Sequence, residues 1–264
     1  MTLTSEADNF RIIACNLLRT ADNYVRCFRF YGHSNMSKVI VIVGSPRKEG
    51  NSDILAQKLA EGARDAGAQV EMVYAADLRI KPCTGCLRCN LVKKCTLRDD
   101  DFAAFAEKYS ASDAAAFVTP IYFHWMSSHL KVLMDRFRSF TNVKILPHSL
   151  IHTPQARLPE RYAFITVLGA PTEEDAIPVM KFFRDFAKIS KGEVAGEMIA
   201  PKLAVRKQVL MTEEELQTTF EKLGMDVDLA MPYHTIYLSY LMRAEQMGRK
   251  LASPREKSSG PDWV

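Results

Sequence analysis

The chain has 264 residues, of which 47% are hydrophobic and 25% are charged, and its net charge is +4 at pH 7. This is ordinary globular composition, and it predicts one domain of about 200 residues with appended segments. Acidic and basic residues are interspersed, which argues against nucleic-acid binding, and no apolar run reaches the roughly 18 residues of a membrane span. Six cysteines, four of them clustered, argue against a secreted disulfide framework and indicate a reducing, cytoplasmic compartment.

Three segments are predicted along the chain. Residues 1–35 match no pattern of the later sequence, and we interpret them as an N-terminal extension that is either disordered or an over-long translation. Residues 36–205 alternate between strand and helix patterns. Residues 206–264 are predicted to form further helices, near 212–223 and 236–251, and a polar tail from residue 253.

The alternating segment predicts a doubly wound α/β fold. Val39 to Val43 is a continuous β-branched run, typical of a central parallel strand that is buried on both faces. Ser52 is predicted to cap the first helix, Thr119 and Pro120 to close the third strand, and residues 141–160 to form a loop. The five predicted strands are 39–43, 70–74, 114–118, 162–168 and 194–199, and the helices between them are 52–66, 102–109, 127–140 and 172–189. Five strands with right-handed crossovers form a parallel sheet covered on both faces.

A polar turn follows the first predicted strand. In an open parallel sheet, ligands bind beyond the carboxyl ends of the strands, so this turn should lie in the binding crevice. Ser45 and Ser52 supply hydroxyls, Asn51 an amide and Arg47 a positive charge, and the helix that follows supplies free backbone N–H groups. The pattern is neither G-x-G-x-x-G nor G-x-x-x-x-G-K-[ST], which favours a phosphate monoester over a dinucleotide or a nucleoside triphosphate.

Four cysteines lie within thirteen residues in the spacing C-x2-C-x2-C-x5-C, inside a loop predicted at 81–98. Such compact spacing is typical of an iron–sulfur cluster that takes all four ligands from one loop. Two alternatives stay open: bare, redox-active thiols, and a zinc site, although zinc more often takes two separated cysteine pairs. The candidate metal ligands are Cys83, Cys86, Cys89 and Cys95.

The motifs together resemble a known family. The segments 44–47, 50–52 and 119–123, together with Lys131, Asp135 and Arg136, are similar to the NADPH-dependent FMN reductase and flavodoxin-like families. With the cysteines included, the chain resembles the iron–sulfur flavoprotein branch. The resemblance implies a flavodoxin-like sheet of order 2-1-3-4-5. It also implies that the FMN phosphate contacts Ser45, Arg47, Asn51 and Ser52, that the flavin ring contacts Pro120, Ile121, Tyr122, Phe123 and Gly169, and that the cysteines hold a [4Fe–4S] cluster.

The resemblance further implies an FMN-dependent oxidoreductase that passes electrons between the cluster and FMN to a small acceptor. The implied electron donor is ferredoxin or NAD(P)H, and the implied assembly is a homodimer or homotetramer. No side chain is predicted to act as a general acid or base, because the cofactors carry the chemistry. An NAD(P)H-dependent FMN or quinone reductase without a cluster and a non-catalytic flavin electron carrier stay open as alternatives.

Overall fold

Alternating strands and helices build this chain, as the sequence predicts. The computed structural model describes residues 36–253. Within that range the strands are β1 (Lys38–Val43), β2 (Gln69–Tyr74), β3 (Ala114–Tyr122), β4 (Trp125–Met126), β5 (Thr141–Leu146), β6 (Ser149–Pro154), β7 (Arg161–Val167) and β8 (Glu193–Ala200). The α-helices of the same range are α1 (Asn51–Asp65), α2 (Arg88–Val92), α3 (Phe102–Ala111), α4 (Ser128–Arg136), α5 (Ile177–Ile189), α6 (Glu213–Lys222) and α7 (Ala230–Ala252).

One sheet contains five parallel strands in the order β2-β1-β3-β7-β8, and the short β4 adds an antiparallel pairing to β3. Counting the parallel strands alone, this is the predicted order 2-1-3-4-5, and the predicted fold class is confirmed. Alternation along β1 divides the core between the two faces of the sheet. Val39, Val41 and Val43 pack with α1 and α7, while Ile40 and Ile42 pack with α3, α4 and α5.

The structure corrects three local predictions. Ser52 is the second residue of α1, and Gly50 is the N-cap, so Ser52 does not cap the helix. β3 continues through Thr119 and Pro120 to Tyr122, rather than closing at Val118. Proline is tolerated there because β1 has already ended at Val43, so the neighbouring edge of β3 is no longer part of a continuous ladder.

The third correction concerns residues 141–160, which the prolines predicted to be a loop. β5 and β6 form an antiparallel hairpin within this segment. Pro147 lies in the turn between the strands, and Pro154 is the last residue of β6, so both prolines flank the pairing instead of interrupting it. The hairpin forms a separate two-stranded sheet.

The C-terminal helices complete the core of the domain. The buried face of α7 packs with α1 and β8, so the helix belongs to the same hydrophobic core as residues before the predicted boundary at 205. The predicted extension 1–35, with Cys15 and Cys27, and residues 254–264 of the tail lie outside the described range. No helix within residues 36–253 combines the length and apolar composition that a membrane span needs.

Two glycines allow α1 and α7 to approach each other closely. A Cβ atom added at Gly248 would lie 1.9 Å from the backbone oxygen of Leu59, and one at Gly62 would lie 2.0 Å from that of Glu245. Neither contact can be relieved by turning a side chain, because the clashing atoms belong to helix backbones. The distance between these helices is therefore set by the absence of both side chains.

We expect Gly248→Ala to lower the free energy of unfolding by at least about 2 kcal/mol, because the added methyl group must push α7 away from α1. Urea denaturation measures the change. Gln246→Ala is the matched control, since Gln246 is exposed on the same helix. Equal unfolding midpoints for the two variants would contradict the close approach of the helices.

Candidate functional site

A cavity of about 230 Å³ opens at the carboxyl edge of the parallel sheet. The C-terminal ends of β3 and β7 line it, together with the segments that follow β1, β7 and β8, as expected for the crevice of a doubly wound sheet. Eight of the nine residues that the sequence assigns to a flavin line this one cavity, and Phe123 is not among them. The eight are Ser45, Arg47, Asn51, Ser52, Pro120, Ile121, Tyr122 and Gly169.

The turn after β1 presents polar groups to this cavity. The Ser45 hydroxyl accepts a hydrogen bond from the Arg47 backbone N–H at 3.1 Å, which tightens the turn. Ser52 is buried, and its hydroxyl has no hydrogen-bond partner within residues 36–253. The first backbone N–H groups of α1 have no carbonyl partner within the helix and carry the positive end of its dipole. The arrangement suits a phosphate group.

Arg47 connects the turn to the end of β3. Its Nη2 atom donates to the hydroxyl of Tyr122 at 3.2 Å. Both side chains line the cavity, so the polar turn and the segment Pro120–Tyr122 form one continuous surface. The other guanidinium donors of Arg47 have no partner within the described range and are available to an anion.

The side chain of Asn51 is committed to protein contacts. Its Nδ2 atom donates to the carbonyls of Leu203 at 3.2 Å and Val205 at 2.8 Å, and its Oδ1 atom accepts from the N–H of Val209 at 3.2 Å. Both amide hydrogens are thus used. The sequence predicts that this amide contacts a phosphate, whereas the structure leaves only the backbone N–H of Asn51 for that purpose. The side chain fixes the loop after β8 against α1.

Several cavity residues have no counterpart in the sequence prediction. Residues 203–206, after β8, close one side of the cavity, and Val167 and Leu168 add an apolar wall. The loop lies more than 150 residues from the turn, and no motif marks it. Only the topology of the sheet could have indicated this loop, because β8 ends at the same edge as β7.

Asp53 stabilises the turn after β1. The sequence prediction did not include this residue. Its carboxylate accepts from the backbone N–H of Glu49 at 2.6 Å and from the hydroxyl of Tyr74 at 2.8 Å. Burial raises the pKa of Tyr74 to about 12, and the hydrogen bond to Asp53 adds to that effect. Tyr74 is therefore a neutral donor at physiological pH.

A two-residue turn joins β3 to β4 beside the cavity. Phe123 and His124 both have positive φ angles, 51° and 62°, which are uncommon for residues of this size. The Nδ1 atom of His124 lies 2.9 Å from a carboxylate oxygen of Asp175. The ring of Phe123 is fully exposed, so the structure places this predicted ring contact outside the cavity wall.

The four predicted metal ligands meet around a second, smaller cavity of about 30 Å³. All four thiols are free of disulfides; Cys83 and Cys86 are exposed, Cys95 is half-buried, and Cys89 is buried within α2. The backbone N–H of Arg88 lowers the pKa of the Cys86 thiol. Within residues 36–253, no three Cys, His, Asp or Glu side chains converge on a point where a metal ion could bind.

A buried ion pair closes the cysteine loop. Arg136, the last residue of α4, lines the cysteine cavity and has a fully buried side chain. Its Nη1 atom donates to the Lys81 carbonyl at 2.8 Å and to the Asp100 carboxylate. Burial alone would raise the pKa of Asp100, but its hydrogen bond from Arg136 leaves that pKa below the usual value.

Comparison with known proteins identifies the family. The profile of the NADPH-dependent FMN reductase family matches residues 37–170, which is about half of the chain. The chain belongs to the NADPH-dependent FMN reductase family. The resemblance inferred from the motifs is thereby confirmed, and curated relatives named iron–sulfur flavoprotein support its assigned branch.

Two of these relatives are archaeal. An iron–sulfur flavoprotein of Methanocaldococcus jannaschii is 38% identical over 101 residues, which cover 38% of this chain and 52% of the relative. One from Archaeoglobus fulgidus is 36% identical over 101 residues, covering 38% of this chain and 49% of the relative. The chain thus spans about half the length of the curated relatives it matches.

Solved structures share the fold of this chain. The NAD(P)H:quinone oxidoreductase of Methanothermobacter marburgensis superposes with a TM-score of 0.56 at 16% sequence identity, covering 83% of this chain and 98% of the other. At this identity the superposition supports the flavodoxin-like architecture of this family member and nothing finer.

We expect Asn51→Ala to lower the free energy of unfolding by about 2 kcal/mol, because three backbone groups of the loop after β8 lose their partner. Urea denaturation measures stability, and proteolysis of the loop at residues 203–209 should become faster. Glu61→Ala, at an exposed position of α1, is the control. Unchanged stability of the Asn51 variant would show that its side chain does not fix the loop.

Proposed function

We propose that this protein is an FMN-dependent oxidoreductase whose four clustered cysteines hold one [4Fe–4S] cluster. The observation that carries the proposal is the convergence of eight predicted flavin contacts on one cavity and of four cysteines on another. Family membership supports the flavin, and the names of the curated relatives support the cluster. We assign the protein to the cytoplasm, in agreement with its clustered free thiols.

The proposed flavin site divides into an anionic and an apolar part. The FMN phosphate would contact the backbone N–H groups of α1, the hydroxyls of Ser45 and Ser52, and Arg47. The segment Pro120–Tyr122 and Gly169 would contact the isoalloxazine ring. A cavity of 230 Å³ is smaller than the roughly 300–1,000 Å³ of a typical cofactor pocket. Part of the ring is therefore expected to extend outside this cavity.

The cysteine cavity fits a cluster in its donor chemistry. Four thiols from residues 83–95 surround it, and two buried guanidinium nitrogens of Arg136 lack partners beside it. Thiolates are the ligands that iron–sulfur clusters take, and hydrogen bonds to their sulfurs are part of such sites. The compact spacing of the four cysteines on one loop favours a cluster over zinc, which more often takes two separated cysteine pairs.

Bound together, FMN and the cluster would convert single electrons into the electron pair that a small acceptor requires. The side chains bind and orient these groups. Arg47 and Ser52 neutralise and hold the phosphate, and the apolar residues Pro120 and Ile121 exclude water from one ring face. We assign no general acid or base to the chain.

The surface around the cysteines suits an acidic electron donor. Residues 79–98 contain six basic and no acidic side chains. Arg88, Lys94 and Arg98 have no ion-pair partner within the described range and are exposed beside the thiols. Positive charge there would attract a carrier such as ferredoxin. NAD(P)H is the second proposed donor, and a homodimer or homotetramer is the proposed assembly.

A cluster-free NAD(P)H-dependent FMN or quinone reductase is the second candidate function. The observation in its favour is the small cysteine cavity of about 30 Å³, at which two of the four cysteines are exposed. It retains the flavin site and assigns redox-active thiols to the cysteine loop. A non-catalytic flavin electron carrier would keep the same cofactor but would not turn over with oxygen or a quinone.

We expect Arg47→Ala to weaken FMN binding by about 2 kcal/mol, roughly 30-fold in Kd, because the phosphate loses a charged donor. Fluorescence titration of flavin-free protein with FMN measures the affinity. The affinity for riboflavin, which lacks the phosphate, should change little. Arg64→Ala at the exposed far end of α1 is the control. Equal losses for FMN and riboflavin would place Arg47 away from the phosphate.

We expect the protein purified without oxygen to contain about one FMN and four iron atoms per chain. Ser in place of Cys83, Cys86, Cys89 or Cys95 should abolish the broad visible absorption and the iron while leaving FMN bound. Cys27→Ser, outside the cysteine loop, is the control. Iron retained in all four variants would contradict the assigned ligands. Wild-type protein with FMN and NADPH oxidation but no iron would support the second candidate.

A further inference from the structure

We propose that Arg136 is a positioning residue of the cysteine cavity, where its Nε and Nη2 atoms donate hydrogen bonds to the sulfur ligands and raise the reduction potential of the cluster. The inference rests on the proposed function, because it concerns the cluster assigned to the four cysteines. It adds a residue from α4, 41 positions after Cys95, to a site that the sequence places entirely in one loop.

Arg136 carries unsatisfied donors at this position. The side chain is fully buried, yet its Nε and Nη2 atoms have no hydrogen-bond partner within residues 36–253. Leaving a buried charged donor unpaired is strongly unfavourable, so native proteins rarely keep two such donors on one side chain. Because Arg136 lines the cysteine cavity, a group bound there is the natural acceptor.

The other half of the guanidinium is fixed in place. Nη1 donates to the Lys81 carbonyl and to the Asp100 carboxylate, and the Cζ atom lies 4.4 Å from the ring centre of Phe102. Asp100 in turn accepts from the backbone N–H groups of Lys81 at 3.0 Å and Phe102 at 3.2 Å. These contacts determine the orientation of the free edge of the guanidinium.

The thiols and the guanidinium interact electrostatically. The guanidinium of Arg136 and the thiol of Cys95 line the same cavity. A guanidinium is protonated throughout the physiological pH range, so Arg136 brings a fixed positive charge to this cavity. One-electron reduction of a cluster with four thiolates adds one negative charge, which a fixed positive charge and N–H donors stabilise more in the reduced state.

A purely structural role for Arg136 makes a different prediction. If Arg136 only ties Lys81 to Asp100, removal of either partner loosens the same loop and changes the cluster in the same direction. If Arg136 also acts on the cluster, removing its donors and removing the negative charge of Asp100 should change the potential in opposite directions. The two variants therefore separate the two roles.

The test uses the anaerobically purified protein with iron, sulfide and FMN quantified. Redox titration followed by electron paramagnetic resonance gives the cluster midpoint potential in wild type, Arg136→Lys and Asp100→Asn. Lysine keeps the charge that Asp100 needs but lacks the guanidinium fork, and asparagine keeps the shape of Asp100. At a fixed applied potential, we expect Arg136→Lys to lower the ratio of reduced to oxidised cluster at least tenfold. For a one-electron couple this corresponds to a decrease of about 59 mV in the midpoint potential. Asp100→Asn should raise that ratio.

Shifts of the same sign in both variants, or no shift in Arg136→Lys, would overturn the assignment while the proposed function stands. Wild-type protein that contains FMN but no iron would refute the cluster and this assignment with it. Arg136→Lys protein that folds and binds FMN but assembles no cluster supports the assignment only if Asp100→Asn assembles it. Loss of the cluster in both variants would support the structural role and overturn the proposal.

Discussion

The unequal lengths of adjacent parallel strands determine where the cavity at the carboxyl edge of the sheet forms. β1 ends at Val43, opposite Val118 of β3, whereas β3 continues for four more residues to Tyr122. The turn after β1 is therefore bordered by an extended strand, and the Tyr122 hydroxyl can accept from Arg47. If β1 and β3 ended at the same position along the sheet, the polar turn after β1 would not lie beside the segment Pro120–Tyr122. The two would then not line one cavity. The chemistry of the cavity follows from this difference in strand length.

The parallel sheet and the position of the turn could be predicted from the sequence, because both depend on local patterns. A β-branched run marks β1, and a polar turn before a helix marks the cavity. The fate of individual side chains could not be predicted in the same way. Asn51 has the residue type and position of a phosphate ligand, yet its partners at Leu203, Val205 and Val209 occupy its side chain. The local sequence shows which side chains can donate hydrogen bonds to a ligand. It does not show which distant backbone carbonyls accept those hydrogen bonds instead.

At the cysteine cavity, the sequence predicts the cysteines but not the distant residue that packs beside them. The spacing of four cysteines predicts the ligand set, since all four lie on one loop. Arg136 belongs to a helix motif with no sequence link to that loop, and its adjacent Lys131–Asp135 pair is an ordinary exposed i, i+4 contact. Burial distinguishes the two: the exposed pair contributes a few tenths of a kcal/mol, whereas the buried Asp100–Arg136 pair joins both ends of the cysteine loop.

Helix α4 relates the two cavities in space. At its start, the hydroxyl of Ser127 donates to the carbonyl of Gly44, immediately before the polar turn, and accepts from the N–H of Leu130. At its end, Arg136 meets the cysteine cavity. Nine helical residues span about 13 Å, so a single rigid element sets the distance between the proposed flavin and cluster sites. Because the helix is anchored by a buried hydrogen bond at one end and a buried ion pair at the other, its position is fixed relative to both. Helix α4 therefore fixes the separation between the polar turn after β1 and the cysteine cavity.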